Sequence, residues 1–257
     1  MDLALKQRFL DIWNTSFPGA ELPITLYYTD EEGRAPSVEP KETQHCLIGE
    51  LLNIRNGRPA CFDKHNVLCR GGRRYLGFSQ TIRNNFDYFL SCGIPGELEG
   101  ERYKKSPEIV ADSMQNMPPF ESPGRYLIAK RWDLLEESDE PMLVVFFARA
   151  DVLAGLFTLA NFDEREPDGV IAPFGSGCSA ILYHPYRELQ SDRPRAVLGM
   201  FDVSARPFVQ PDVLSFAVPW KKFLAMVANA DESFLITGSW AEVRSRIGGR
   251  AEAGLSH

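Results

Sequence analysis

The residues of this chain best suited to chemistry are five cysteines, Cys46, Cys61, Cys69, Cys92 and Cys178, with no repeated short spacing. An odd count without a framework pattern points to buried thiols, metal ligands or reactive groups in a reducing compartment rather than a disulfide scaffold. Cys61 and Cys69 lie within residues 55–83, which hold seven Lys or Arg against a single acid, Asp63. Positive surroundings stabilise a thiolate, the form that attacks electrophiles and binds metals, and they attract anions. A solvated basic face paired with acids elsewhere accounts for the same charges without any site.

The run Cys69-Arg70-Gly71-Gly72 is the most specific short signal. Adjacent glycines open backbone geometries closed to other residues, and successive amides there could face an anion or a metal-bound sulfur. Gly71, Gly72, Arg73 and Arg74 are therefore candidate ligand contacts, set against a tight turn feeding a strand at Tyr75. Gly175-Ser176-Gly177-Cys178-Ser179 reads as a small-residue turn into a helix N-terminus, where the dipole favours a Cys178 thiolate. Free amides of that loop, Gly177 among them, could hold a phosphate or carboxylate. It is neither a Walker loop nor a nucleophile elbow, since no Gly-Lys-Ser/Thr follows and Cys178 directly succeeds Gly177. His45-Cys46 is a possible ligand pair, but adjacent residues rarely face one metal. His65 and His184 lack partners at metal spacing, and Cys92, before Gly93-Ile94-Pro95, reads as core packing. No CxxC, HExxH, paired-Asp or GxGxxG pattern occurs, so standard zinc, ferredoxin and dinucleotide sites have no motif support.

The elements that must position these groups follow from periodicity and turn signals. Leu5, Phe9, Ile12 and Trp13 share a helical face, and residues 22–28 read as a strand. Cys46 opens a helix with Leu47, Ile48, Leu51 and Leu52, ended by Asn56-Gly57. Residues 61–78 read as irregular, closing on a strand at 74–78. Ser106-Pro107 starts a helix, and residues 125–132 and 142–149 form strands around an acidic turn. Asp151 caps a helix, and Cys178 opens another. Residues 195–201 and 213–218 form strands, Pro219 starts a helix, and Ser239 to Glu242 fits a capping box for a short last one. The tail, 248–257, is expected to lack structure.

The chain has 257 residues, enough for one large domain or two small ones. Hydrophobic residues at 44% and charged residues at 25% are ordinary globular values. The 18 Pro and 20 Gly imply many turns. A net charge of −7 argues against a general nucleic-acid or anionic-membrane binder. Asp2, Lys6 and Arg8 interrupt any secretory signal, and the longest apolar stretch, 142–148, is too short to cross a bilayer. A soluble, cytoplasmic protein is expected.

The two halves also rhyme. The strand at 24–28 parallels that at 143–147, and Cys46 parallels Cys178. Leu76-Gly77-Phe78 parallels Leu198-Gly199-Met200, and Ile94-Pro95 parallels Val218-Pro219. The expectation is an α+β fold of two similar halves, 1–125 and 126–247, packed around a mixed or antiparallel sheet.

At Cys46, at Cys69-Arg70-Gly71-Gly72 with Leu76-Gly77-Phe78, and at Gly177-Cys178, the chain resembles domain-of-unknown-function family 169, the uncharacterised ArCR group, over roughly residues 5–234. That group has a cysteine opening a helix, a later Cys-x-Gly-Gly leading to Leu-Gly, a hydrophobic-Pro pair and a second-half cysteine after glycine. Arg73-Arg74 depart from it, standing where smaller or apolar residues are expected. The resemblance implies the site and the architecture, not a reaction.

Three functional readings follow. In the first, Cys46, Cys69 and Cys178, with Cys61 as a fourth, ligate an iron–sulfur cluster or other soft metal between the halves, and the basic stretch offsets their charge. In the second, Cys69 or Cys178 is an enzyme nucleophile with His45 or His65 as base. In the third, a non-enzymatic module binds a small anion at Gly71-Gly72 and Arg73-Arg74, and the cysteines only pack.

Overall fold

The computed structural model describes residues 1–39 and 46–254, so the His45 expectation and residues 255–257 lie outside the described residues. Helix α1 (Leu3–Ser16) starts on Asp2, whose carboxylate accepts from the Ala4 amide at 2.8 Å, satisfying a free helix donor. It buries Phe9 and Trp13. There follow β1 (Ile24–Thr29), α2 (Leu47–Arg55), β2 (Ala60–Phe62), α3 (Arg70–Tyr75), α4 (Phe86–Leu90), α5 (Pro107–Gln115) and β3 (Tyr126–Arg131). The second part runs β4 (Leu143–Ala148), α6 (Ala150–Ala160), β5 (Val170–Ile171), a π-helical segment (Ser179–Tyr183) continuing into α7 (His184–Glu188), β6 (Ala196–Gly199), β7 (Leu214–Pro219), α8 (Trp220–Asn229) and α9 (Gly238–Gly254).

The seven strands form one sheet in the order β2-β3-β1-β4-β7-β6-β5. Every pair is antiparallel except β5 with β6. Side chains alternate across a strand. Ile24, Leu26, Leu127, Ala129, Leu143, Val145 and Ala217 accordingly join the core under α2 and the π-helical segment. Val144, Phe146, Ala148, Phe216 and Val218 face the other way, into the core shared with α1, α6, α8 and α9. That second core is aromatic, with Phe9 and Trp132 centroids 4.6 Å apart and Trp13 and Phe17 also at 4.6 Å. Strand β4 is covered on both faces, which explains its unbroken apolar run.

The α+β class is as expected, and all seven strands share a single sheet, without showing the expected internal duplication. Outward from the β1–β4 pair the order is β1-β3-β2 on one side and β4-β7-β6 on the other. The helix led by Cys46 lies between β1 and β2 in the chain, and that led by Cys178 between β4 and β6. The other paired motifs do not match. Leu76-Gly77 ends a helix in a turn, with Gly77 at φ +73°, whereas Leu198-Gly199 closes a strand. Ile94 sits in a loop bridge to Leu98, whereas Val218-Pro219 ends β7. Strand β3, which begins at the expected half boundary, pairs with β1 and β2.

Several local expectations are corrected. Residues 74–78 are not a strand, because Cys69 caps a helix there, its Sγ accepting from the Gly72 amide at 3.3 Å. Cys92 is exposed, in a loop that folds on itself beyond a helix with no buried side chain. Arg149, not Asp151, precedes α6, and Asp151 pairs with Arg246 at 2.5 Å. Helix α9 follows Thr237, whose hydroxyl accepts from the Trp240 amide at 3.3 Å, and it continues through residues 248–254.

Candidate metal centre

Three helix starts meet on the face of the sheet covered by α2. Cys46 stands at the N-cap of α2 and Cys69 at that of α3, both in extended backbone, and Cys178 precedes the π-helical segment. Two glycines let these starts close together. A Cβ on Gly72 would lie 3.2 Å from Leu47 Cβ and 3.5 Å from Cys69 Sγ. On Gly177 it would meet Met200 Sδ at 3.0 Å, Ala205 Cβ at 3.1 Å and Ile48 Cγ1 at 3.2 Å. π-Helical turns inside helices recur at functional sites, and this one begins directly after Cys178.

The three thiols are electrostatic neighbours. Burial pushes the Cys46 thiol up, the amides of Ile48 and Gly49 draw it down, and charge on Cys69 and Asp202 raises it again. Burial pushes Cys178 well above its ordinary value, and Cys69, Cys46 and Asp202 add to the rise. The expected dipole-stabilised thiolate at Cys178 is thus overturned: loss of water outweighs the helix end. Tyr75, raised first by burial, lies against Ser176 and feels Cys178. Asp202 accepts from the Gly177 amide at 3.1 Å, so it holds the turn before Cys178 while facing the thiols. Among the described residues, no group of three or more His, Cys, Asp or Glu side chains already stands where it could hold a metal ion.

Other candidates lie apart. Cys61 packs with Tyr27 and Ile128 on the opposite face of the sheet, because β2 turns Phe62 rather than Cys61 toward α2. Its thiol is pushed up to about 11 by burial, then by Asp63 and Glu32. Gly71 is exposed, with nothing within 4 Å of a Cβ position. The basic stretch is largely committed to structure. Arg73 donates to the Val67 carbonyl at 2.9 and 3.0 Å, and Arg74 to that of Gln80 at 2.9 Å. Arg55 is buried against Glu21 and lies 4.4 Å over the Phe147 ring, while Arg83 lies 4.1 Å over Phe89. His65 is exposed. Burial, then Arg187, holds His184 down to about 4, and its Nε2 is buried without a hydrogen-bond partner.

Sequence reasoning missed Asp202, Tyr75 and Met200. Only Met200 had a signal, as the residue closing the Leu198-Gly199-Met200 motif.

Fold and site together define an α+β protein with Cys46, Cys69 and Cys178 at or beside three helix starts near a mixed seven-stranded sheet. The chain belongs to domain-of-unknown-function family 169, described as uncharacterised ArCR, whose family model matches residues 20–229. That span runs from just before β1 to the end of α8 and contains all three thiols. No curated protein and no solved structure matches the chain. No helix among the described residues is long and apolar enough to cross a membrane.

Proposed function

We propose that Cys46, Cys69 and Cys178 bind an iron–sulfur cluster or another thiolate-ligated soft metal. The observation that carries this reading is that Cys46, at the start of α2, and Cys178, before the π-helical segment, are both raised by the charge of Cys69, at the start of α3. Burial and neighbouring negative charge make Cys46 and Cys178 hard to ionise, and a soft cation beside them removes that cost. Metal uptake displaces the thiol protons, so site formation is coupled to deprotonation and to rotation of the sulfurs toward a common centre.

The surroundings support the reading. Gly72 and Gly177 keep bulk out of the space between the helix starts. The Gly72 amide, already bonded to Cys69 Sγ, is the kind of donor that tunes a cluster's potential. A bound cluster supplies electron transfer, or a Lewis acid at an iron without a protein thiolate. Cys61, across the sheet, is left out of the ligand set. All five cysteines are free thiols, in keeping with a reducing compartment such as the cytoplasm. The anion-binding alternative has less support, since the donors of Arg73 and Arg74 serve carbonyls. The nucleophile alternative loses Cys178, which burial keeps protonated.

The test is an absorption spectrum with iron and sulfide analysis of protein purified and reconstituted without oxygen. Brown protein with bound iron and acid-labile sulfide is expected. Colourless, metal-free protein after reconstitution contradicts the reading.

A further inference from the structure

We infer that residues 85–104 form a hinged strap, pinned by Tyr103 and Lys104 across the two loops that hold Cys178 in place, and that release of the strap exposes Cys178. The inference concerns access to this thiol and stands whether or not a metal binds there.

The segment closes on itself. The Glu101 amide donates to the Phe89 carbonyl at 2.7 Å, Arg102 to Ser91 and Lys104 to Leu90 at 3.0 Å, and Ile94 and Leu98 exchange bonds at 2.8 and 2.9 Å. Gly93 and Gly100 bring its two arms into backbone contact, since a Cβ on Gly100 would strike the Gly93 nitrogen and the Ser91 carbonyl. Among the described residues, no backbone hydrogen bond joins 86–104 to the sheet. Helix α4 within it buries no side chain, and residues 80–85 leading into it are exposed. Sparse buried contact of this kind marks a unit that opens locally at low cost.

Both ends carry the backbone of a hinge. Asn85 at φ +55° and Arg102 at φ +56° are two of the three described non-glycine residues in the left-handed region, a strain that clusters at switch segments. The third, Met200, opens the loop on which the strap rests.

Two adjacent side chains pin the strap. The Tyr103 hydroxyl is hydrogen-bonded to the Ser204 and Glu101 side chains, and Lys104 Nζ lies 4.6 Å from the centre of the Phe174 ring. The Ser204 hydroxyl in turn donates to Asp202 at 2.8 Å, and Asp202 accepts from the Gly177 amide at 3.1 Å. Phe174 lies three residues before Gly177 on the turn that delivers Cys178. The strap thus presses on both loops that Asp202 clips together.

The test follows iodoacetamide labelling of Cys178 and Cys61 in metal-free full-length protein, resolved by peptide mass spectrometry. Each residue is 6% exposed, on opposite faces of the sheet, so Cys61 reports global opening. In Tyr103→Phe/Lys104→Ala, labelling of Cys178 should rise about tenfold with that of Cys61 unchanged. In the unmutated protein, the Cys178 rate should depend weakly on urea, because a local opening exposes little surface, while Cys61 follows the steep slope of global unfolding. An unchanged Cys178 rate in the variant, or equal acceleration of both thiols, overturns the strap. Equal urea slopes for the two thiols in the unmutated protein also overturn it, which decides the matter even if the variant folds poorly.

Discussion

The Asp202 carboxylate accepts a hydrogen bond from the Gly177 amide at 3.1 Å, tying the loop after β6 to the turn that delivers Cys178. Its other oxygen accepts from the Ser204 amide at 3.0 Å and the Ser204 hydroxyl at 2.8 Å. One side chain thus fixes two loops at the thiol site and adds a negative charge that raises the Cys46 and Cys178 thiols.

Asp202→Ala removes these acceptors and should cost about 1–3 kcal/mol of stability, measured by urea unfolding. Asp202→Asn keeps an acceptor but loses the charge. It should stay near wild-type stability and shift thiol alkylation to lower pH. Alkylation profiles that coincide for Asp202→Asn and wild type would show that the charge does not reach the thiols.

Neighbouring glycines should respond oppositely to the same change. Gly71→Ala adds a methyl group to open space in a helix and should stabilise by about 0.4–1 kcal/mol. Gly72→Ala and Gly177→Ala push into Leu47 and into Met200, Ala205 and Ile48, and each should destabilise by about 1–3 kcal/mol. Equal melting temperatures across the three variants would contradict this account of how the helix starts pack.

On the opposite face of the sheet, Lys130 Nζ donates to Asp139 at 2.9 and 3.1 Å, and the Tyr27 hydroxyl donates to the same carboxylate. Asp139 and Lys130 are both buried. Lys130→Met leaves that carboxylate without its cation and should cost about 3–5 kcal/mol. The double variant Lys130→Met/Asp139→Leu should recover only part of the loss, because it also takes the acceptor from the Tyr27 hydroxyl and the Glu136 amide; denaturant titration of both proteins checks this.

His184 makes stability sensitive to mild acid. An unfolded histidine titrates near 6.5, but burial, reinforced by Arg187, holds His184 down to about 4. The unfolded chain therefore takes up a proton that the folded chain refuses. The contribution is complete above pH 6.5 and is lost as the pH falls toward 4, by at most about 3 kcal/mol. His184→Phe should flatten the stability curve between pH 6.5 and 4. An unchanged slope would assign that sensitivity to other groups.

Strong periodicity made the long elements legible. The face of α1 and the runs of β3, β4 and β7 stood out because each buries a regular pattern against the sheet. What failed were short elements decided by tertiary contacts. Strand β2 has only three residues, and Gly71-Gly72 reads as a turn until Cys69 and Leu47 are seen to pack a helix there. Cys46 and Cys178 were legible as helix starts, whereas Cys69, which also caps a helix, read as a turn feeding a strand. Cys61 was grouped with them because linear proximity cannot tell which face of a strand a thiol occupies. The Cys178 environment was misjudged because a dipole is visible in sequence and desolvation is not. Asp202 and Met200 escaped notice because their roles depend on a loop folding back onto Gly177.

The central claim is tested most directly by iron and acid-labile sulfide content after anaerobic reconstitution of single Cys→Ser variants. Cys46→Ser, Cys69→Ser and Cys178→Ser should each lose most of the bound iron while remaining folded, and Cys61→Ser and Cys92→Ser should retain it. Loss of iron in Cys61→Ser equal to that in Cys69→Ser, or no iron in the unmutated protein, would contradict a centre built on the three convergent thiols.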